Sequence, residues 1–297
     1  MSRTASVLYD APGPRARLRN ILYSLVVLAA LIAVAWFVID GFADKDQLTA
    51  DKWEPFLDGA VWSTYIVPGL RGTIVAAALS IVLALVIGTI FGILRLSEHR
   101  WVRWTAGTIV EIARAIPVLI LMIFLFALYS EYDVFQSEYL ALGSVVTALT
   151  IYNGSVIAEI VRAGILSLPK GQTEAGVALG LRKGQLMRLI LLPQAITAML
   201  PALISQMVVA LKDSALGYVI TYQEVVRAAQ QLGAAESNTI PALIVVAIIM
   251  IILNVLLSTF ATRLEKRLRS GGRKKGRAVV AADSVVTDAA PGVDITK

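Results

Sequence analysis

The sequence predicts an all-α polytopic membrane protein, a helical bundle of about six transmembrane spans, on three observations. Hydrophobic residues make up 57% of the 297-residue chain and charged residues only 16%, with a mean hydropathy of +0.74. A soluble domain carries about 25% charged residues. Apolar runs of bilayer length recur along the chain, and the segments joining them alternate between acidic and basic, as the positive-inside rule requires.

Residues 1–20 are polar, contain Pro12 and Pro14, and carry Arg15, Arg17 and Arg19; they read as a cytoplasmic N-terminal tail. Residues 21–39 form the first span, too long for a signal peptide and without a small-x-small cleavage site. Residues 40–65 form an extracytoplasmic loop, because Asp44, Asp46, Asp51, Glu54 and Asp58 outweigh Lys45 and Lys52. The second span is Ile66–Leu94. The loop after it holds Arg95, Arg100 and Arg103 with Trp101 and Trp104 as interface anchors, and so lies inside; His99 is expected to be solvated there. The third span is Ile109–Tyr129, leaving into acidic Glu131, Asp133 and Glu138, and the fourth is Leu140–Leu166. The fifth, Ala195–Ile220, leads to a polar segment with Glu224, Arg227 and Glu236. The sixth, Ile240–Ala261, ends at Arg263, Lys266, Arg267 and Arg269. Residues 265–297 lose periodicity and are expected to be a disordered basic cytoplasmic tail. Both termini then lie on the cytoplasmic side of a cell membrane.

The polar stretch Lys170–Pro193, KGQTEAGVALGLRKGQLMRLILLP, interrupts these apolar runs. Pro169 closes the preceding helix. A short helix should follow, with Glu174 in its first turn and Gly180 ending it in a left-handed conformation. Ala175 and Ala178 give it a small-residue face that a partner can approach closely. A second basic, amphipathic piece, Arg182 to Leu192, runs until Pro193. The expected unit is a helix-turn-helix at the membrane surface.

The spacing Glu174-Ala175, Gly180, then Ile190-x-Leu192-Pro193 resembles the EAA coupling loop of ABC importer permeases, with Gly176 standing where that family has a second alanine. A glycine there should loosen the helix by about 1 kcal/mol relative to alanine. Further motifs extend the resemblance: Gly69-Leu70-x-Gly72-Thr73, Glu111-x-x-Arg114-x-x-Pro117, Ala158-Glu159-Ile160-x-Arg162-x-Gly164, Gly171-Gln172-x-Glu174-Ala175, Leu192-Pro193-Gln194-Ala195 and Lys212-Asp213-Ser214. Together they are similar to the polar amino-acid branch (histidine, glutamine, glutamate, arginine) of those permeases, over residues 69–264. The tail Val7-Leu8-Tyr9-Asp10-Ala11-Pro12-Gly13-Pro14 resembles actinobacterial glutamate permeases. The resemblance implies a permease core of five helices over residues 66–264, an extra N-terminal helix, and a coupling loop at 170–193. It assigns ATPase coupling to Gly171, Glu174, Ala175, Gly180 and Pro193. It also implies cytoplasmic ATP-binding subunits, a second permease subunit (a heterodimer favoured over a homodimer) and an extracytoplasmic amino-acid-binding protein.

Ionisable residues inside hydrocarbon cost at least about 2.5–3.5 kcal/mol each. Glu111/Arg114 and Glu159/Arg162 are spaced to pair on one helix face, and Lys212 and Asp213, being adjacent, point to different faces. An amino-acid path needs groups of both signs. Glu159 is the candidate for the ammonium, with Thr73 as a hydroxyl partner; Lys212 or Arg71 would meet the second carboxylate of a glutamate.

Other classes are disfavoured. The chain has no cysteine, which excludes disulfides, thiolate metal sites and a cysteine nucleophile. It offers no Ser-His-Asp set, no metal-ligand cluster and no Walker A spacing, so no enzyme activity and no cofactor or metal are expected, and ATP hydrolysis falls to another subunit. The pI near 9.6 reflects basic residues beside apolar segments, facing the bilayer and not nucleic acid. The alternative function is an ion-gradient-driven secondary transporter or channel, which calls for internal repeats; the second half does not repeat the first.

Overall fold

The computed structural model describes residues 13–276, and every regular element in it is helical. The first helix, α1 (Pro14–Ala43), starts with proline where its missing N–H costs nothing. It therefore begins earlier than the apolar run, because its arginines are good helix formers. The rest of the expected N-terminal tail, residues 1–12, lies outside the described residues. No residue of α1 is buried.

Two short helices follow, α2 (Ala50–Trp53) and α3 (Gly59–Val61), the latter capped by Asp58, whose carboxylate accepts from Ala60 N at 2.9 Å. A wide turn at Trp62–Ile66 joins α3 to α4 (Val67–Leu94). It accommodates Pro68, which has no donor for the turn before it.

The expected third span is broken. It comprises α5 (Arg100–Ala115) and α6 (Val118–Glu131), which meet at 98°. Ile116 is extended (φ −83°, ψ 124°) because the ring of Pro117 disfavours helix in the residue before it. Next come α7 (Ser137–Leu166), α8 (Lys170–Ala178) and α9 (Lys183–Leu186). A second wide turn at Met187–Leu191 leads into α10 (Leu192–Asp213) and a 3₁₀ turn, Ser214–Ile220. Then α11 (Val225–Ala235) precedes α12 (Thr239–Gly276). The basic end of α12 stays helical to Gly276, past the expected boundary at Leu264, since its Arg, Lys, Leu and Glu residues favour helix. The remainder of the expected tail, 277–297, is outside the described residues.

Helices α4 and α7 form the central pair. Ala84, Gly88 and Gly92 let α7 come so close that a Cβ on Gly88 would lie 2.6 Å from the Gly154 carbonyl oxygen. In lipid, where apolar faces gain nothing by leaving water, such close packing holds helices together. Three apolar clusters surround this axis. Met122 and Leu125 of α6 meet Val145 and Leu149 of α7. Ile157, Val161 and Ile165 of α7 meet Leu186, Leu191 and Met199, seating α9 and the start of α10. Val61 and Ile66 meet Val225, Leu232 and Val246, seating α11.

Candidate functional site

Four places along the bundle bear on function. The first is the interruption between α7 and α10, which forms the expected helix-turn-helix. Pro169 precedes α8, and Gly180 adopts φ +74° with open space around its Cβ position. Glycine is used there for its left-handed backbone. Glu174 lies one turn deeper than expected, because α8 already begins at Lys170. Gly171, Glu174, Ala175, Ala178, Val177 and Leu179 are all exposed, an apolar and small-residue face with one carboxylate. Gly176 is the buried member: a Cβ there would come within 2.4 Å of Leu186 Cδ1. Glycine thus does more than loosen the helix, since it lets α8 sit on α9.

The end of this unit also differs from expectation. Pro193 does not separate two pieces. The wide turn absorbs it, so Lys183–Ile220 is one continuous helical path. Gln194 Nε2 donates to Gln172 Oε1 at 3.0 Å, and Lys183 pairs with Glu98 at 3.0 Å, so α8 and α9 are tied to α10 and to the turn before α5.

The second place is a charge cluster where α4, α5 and α7 converge. Glu159 is hydrogen-bonded to Arg95 and lies 3.1 Å from Arg162 and 4.0 Å from Arg114. Arg95 also reaches Glu111 at 3.6 Å. The Arg95 side chain is 10% exposed whereas Glu111 is 72% exposed, so the arginine forms the inner wall and the glutamate the rim. Sequence spacing identified the Glu159/Arg162 pair. The other expected pair, Glu111/Arg114, splits between Arg95 and Glu159, because α5 lies across the ends of α4 and α7. Beside it is a hollow of about 350 Å³ lined by Glu111, Arg114, Tyr152 and Val156.

The third place is the opposite end of α4. Thr73 has no solvent exposure, and its hydroxyl accepts from Val225 N at 3.2 Å. Tyr222 donates to the Gly72 carbonyl at 2.8 Å, and a Cβ on Gly72 would lie 1.8 Å from the Gln223 carbonyl oxygen. Glu224 is fully buried and caps α11, accepting from Val226 N at 2.8 Å and Arg227 N at 2.6 Å. Burial pushes its carboxyl up to about 7 against the pull of those two N–H groups. The Tyr222 phenol is pushed up to about 12, by burial and then by the Glu224 charge. Arg71 is exposed nearby, and Lys212 is exposed at the end of α10 beside half-buried Asp213. The expected polar segment after the fifth span is instead the amphipathic α11, with Val225, Ala228, Ala229 and Leu232 at helical spacing.

At 1.5 Å per residue, Thr73 and Arg95 are separated by about 33 Å along α4. Glu159 and Thr73 therefore belong to different levels of the bundle and do not share one amino acid. Between them a fourth feature lies buried: Asn153 Oδ1 accepts from Gln206 Nε2 at 2.7 Å, joining α7 to α10. Sequence reading passed over this amide pair.

Residues 84–270 match the family model of the binding-protein-dependent transport system inner membrane component. The chain is 56% identical over 229 residues to the glutamate transport system permease protein GluD of Corynebacterium glutamicum, covering 77% of this chain and 84% of that one. It is 33% identical to the arginine transport system permease protein ArtQ of Bacillus subtilis, covering 69% and 93% respectively. Among solved structures, an amino acid ABC transporter with histidines aligns with a TM-score of 0.64 at 26% identity, over 71% of this chain and 98% of that one. A methionine ABC transporter, MetNI, in an inward-facing conformation aligns at 0.58 and 22% identity, over 71% and 97%, a likeness of fold. With its helix-turn-helix between two spans and its broken third span, this chain belongs to the family of binding-protein-dependent transport system inner membrane components, the permease subunits of ABC importers.

Proposed function

We propose that this chain forms one half of the membrane path of an ATP-driven glutamate importer. The observation that carries the substrate is the 56% identity, over most of both chains, to a glutamate permease. The charge cluster supports it: three guanidiniums stand around Glu159, so the site offers both signs with cations in excess, as a dicarboxylate with one ammonium needs. In this reading Glu159 meets the ammonium at the inner level. Thr73 acts at the outer level by holding α11 in place, and Arg71 and Lys212 supply cations at the mouth.

The exposed face of α8 is the seat of a cytoplasmic ATP-binding subunit, with Gly171, Glu174 and Ala175 at the contact. Gly180 sets the angle between the two short helices. Pro193 sits in the first turn of α10, just after the wide turn that carries their motion into it, and a continuous rod transmits displacement better than a flexible joint. A second permease, a related chain in preference to a copy, completes the path. An extracytoplasmic binding protein delivers the amino acid at the α11 end. Both termini then face the cytoplasm, with the core at residues 66–264 and the coupling segment at 170–193.

Uptake by complexes carrying Glu159→Gln, Thr73→Val or Lys212→Met, each checked for assembly and ATPase activity, tests the path. Lost uptake with ATPase activity retained is the expected result for Glu159→Gln. Wild-type glutamate uptake in all three variants would place the path elsewhere.

A further inference from the structure

A second hollow lies next to the one beside Arg114. It is an open hollow of about 810 Å³ along α5, lined by Arg95, Arg100, Arg103 and Arg162, with Trp101 and Trp104 at its rim. Glu111 is the one carboxylate in that lining, against four guanidiniums. Two of these cations are engaged by carboxylates: Arg95 by Glu159 and Glu111, and Arg162 by Glu159. The Arg103 guanidinium donates to the Ser97 carbonyl at 3.0 Å. Among the described residues the Arg100 guanidinium has no partner, and neither indole N–H of Trp101 or Trp104 has one.

We propose that this cavity is a binding site for the phosphate of an anionic membrane phospholipid. The angle of 98° between α5 and α6 lays α5 along the membrane face when α6 crosses it. Trp101 and Trp104 are 83% and 71% exposed, and tryptophan favours headgroup depth because its ring is apolar and its N–H is polar. Arginine forks bind phosphate oxygens two at a time, and basic pockets between membrane helices suit anionic headgroups. A free amino acid fits less well. Its ammonium would find only Glu111 in this lining, among four guanidiniums. Gly107 is part of the lining, and a Cβ there would meet nothing nearer than Arg95 Nε at 3.9 Å, so a larger side chain can project into the hollow beside Arg95 without removing charge. The proposal goes beyond the import reading and needs only that α5 lie at a membrane face.

The test is native mass spectrometry of the whole detergent-solubilised transporter after exposure to equal phosphatidylglycerol and phosphatidylcholine. Wild type should retain phosphatidylglycerol selectively. The Arg100→Gln/Arg103→Gln protein should lose that retention about tenfold, the scale of losing charge-assisted contacts. Gly107→Leu should lose it equally with all four arginines present. Co-purification of the ATPase subunits shows that each variant is assembled. Equal retention by wild type and Gly107→Leu would reduce the effect to general surface charge and overturn the site. Binding of free glycerol 3-phosphate without selective lipid retention would assign the cavity to a soluble phosphate, and displacement of bound lipid by glutamate alone would assign it to the substrate; either result overturns the proposal.

Discussion

Glu224 is a carboxyl group without solvent exposure, held by two backbone N–H groups at the start of α11. Burial raises it from its ordinary value near 4.5 to about 7, so folding favours its protonated form. The sign follows by linkage. Its contribution is fully present below pH 4.5 and is lost as pH rises toward 7, where the ionised group costs up to about 3 kcal/mol. Glutamine keeps an acceptor oxygen and has no charge to desolvate. Glu224→Gln should therefore raise the thermal-inactivation midpoint at pH 8 and leave it nearly unchanged at pH 5. A loss at pH 8 would show that the ionised carboxylate holds the cap. Gly72 makes a second, steric test at the same end. With 1.8 Å available between a Cβ and the Gln223 carbonyl oxygen, Gly72→Val should release the segment before α11. A cysteine at Gln223 should then label several-fold faster than in the parent.

Among the elements, the α8–α9 segment, proposed to couple to the ATPase, makes the firmest demand on geometry. Gly180 is left-handed, at φ +74°, and a non-glycine residue pays about 1–2 kcal/mol there, more if β-branched. Gly180→Val should insert normally yet lose ATPase association or transport, and Glu174→Lys should do the same by inverting the charge on the exposed face. Normal ATP-driven uptake in both would make the segment a plain connector. The Lys183–Glu98 pair is solvent-exposed, so Lys183→Ala should cost less than about 1 kcal/mol and spare assembly. This segment was largely legible in the sequence because proline, glycine and periodicity act locally. Its two departures are not local: the placement of Gly176 depends on Leu186, and the passage through Pro193 depends on a wide turn packed on α7. The charge cluster was half legible for the same reason. A pair on one helix can be counted from spacing, whereas the arrival of Arg95 at Glu159 depends on how α4 meets α7. The break at Pro117 was written in the sequence, but its 98° was not, because proline stops a helix without saying where the next one points.

For the whole molecule, the arrangement separates two ends: α11 docked on the start of α4, and α8 and α9 beside the charge cluster at the end of α4 and α7. In the orientation we propose from alternating loop charge, the first end lies outside and the second inside. Because the chain has no cysteine, single cysteines report this directly. Asp51→Cys should label from outside, and Gly184→Cys only after permeabilisation; external labelling at Gly184 would reverse the orientation. Import of glutamate powered by a separate ATPase can be measured directly. The measurement is glutamate uptake into proteoliposomes holding the permease, its partner permease and its ATPase, supplied with binding protein. The expected result is glutamate accumulation that requires ATP on the coupling-helix side and persists when ionophores collapse every ion gradient. Uptake that runs without ATP and stops with the ionophores would make the protein a secondary transporter instead.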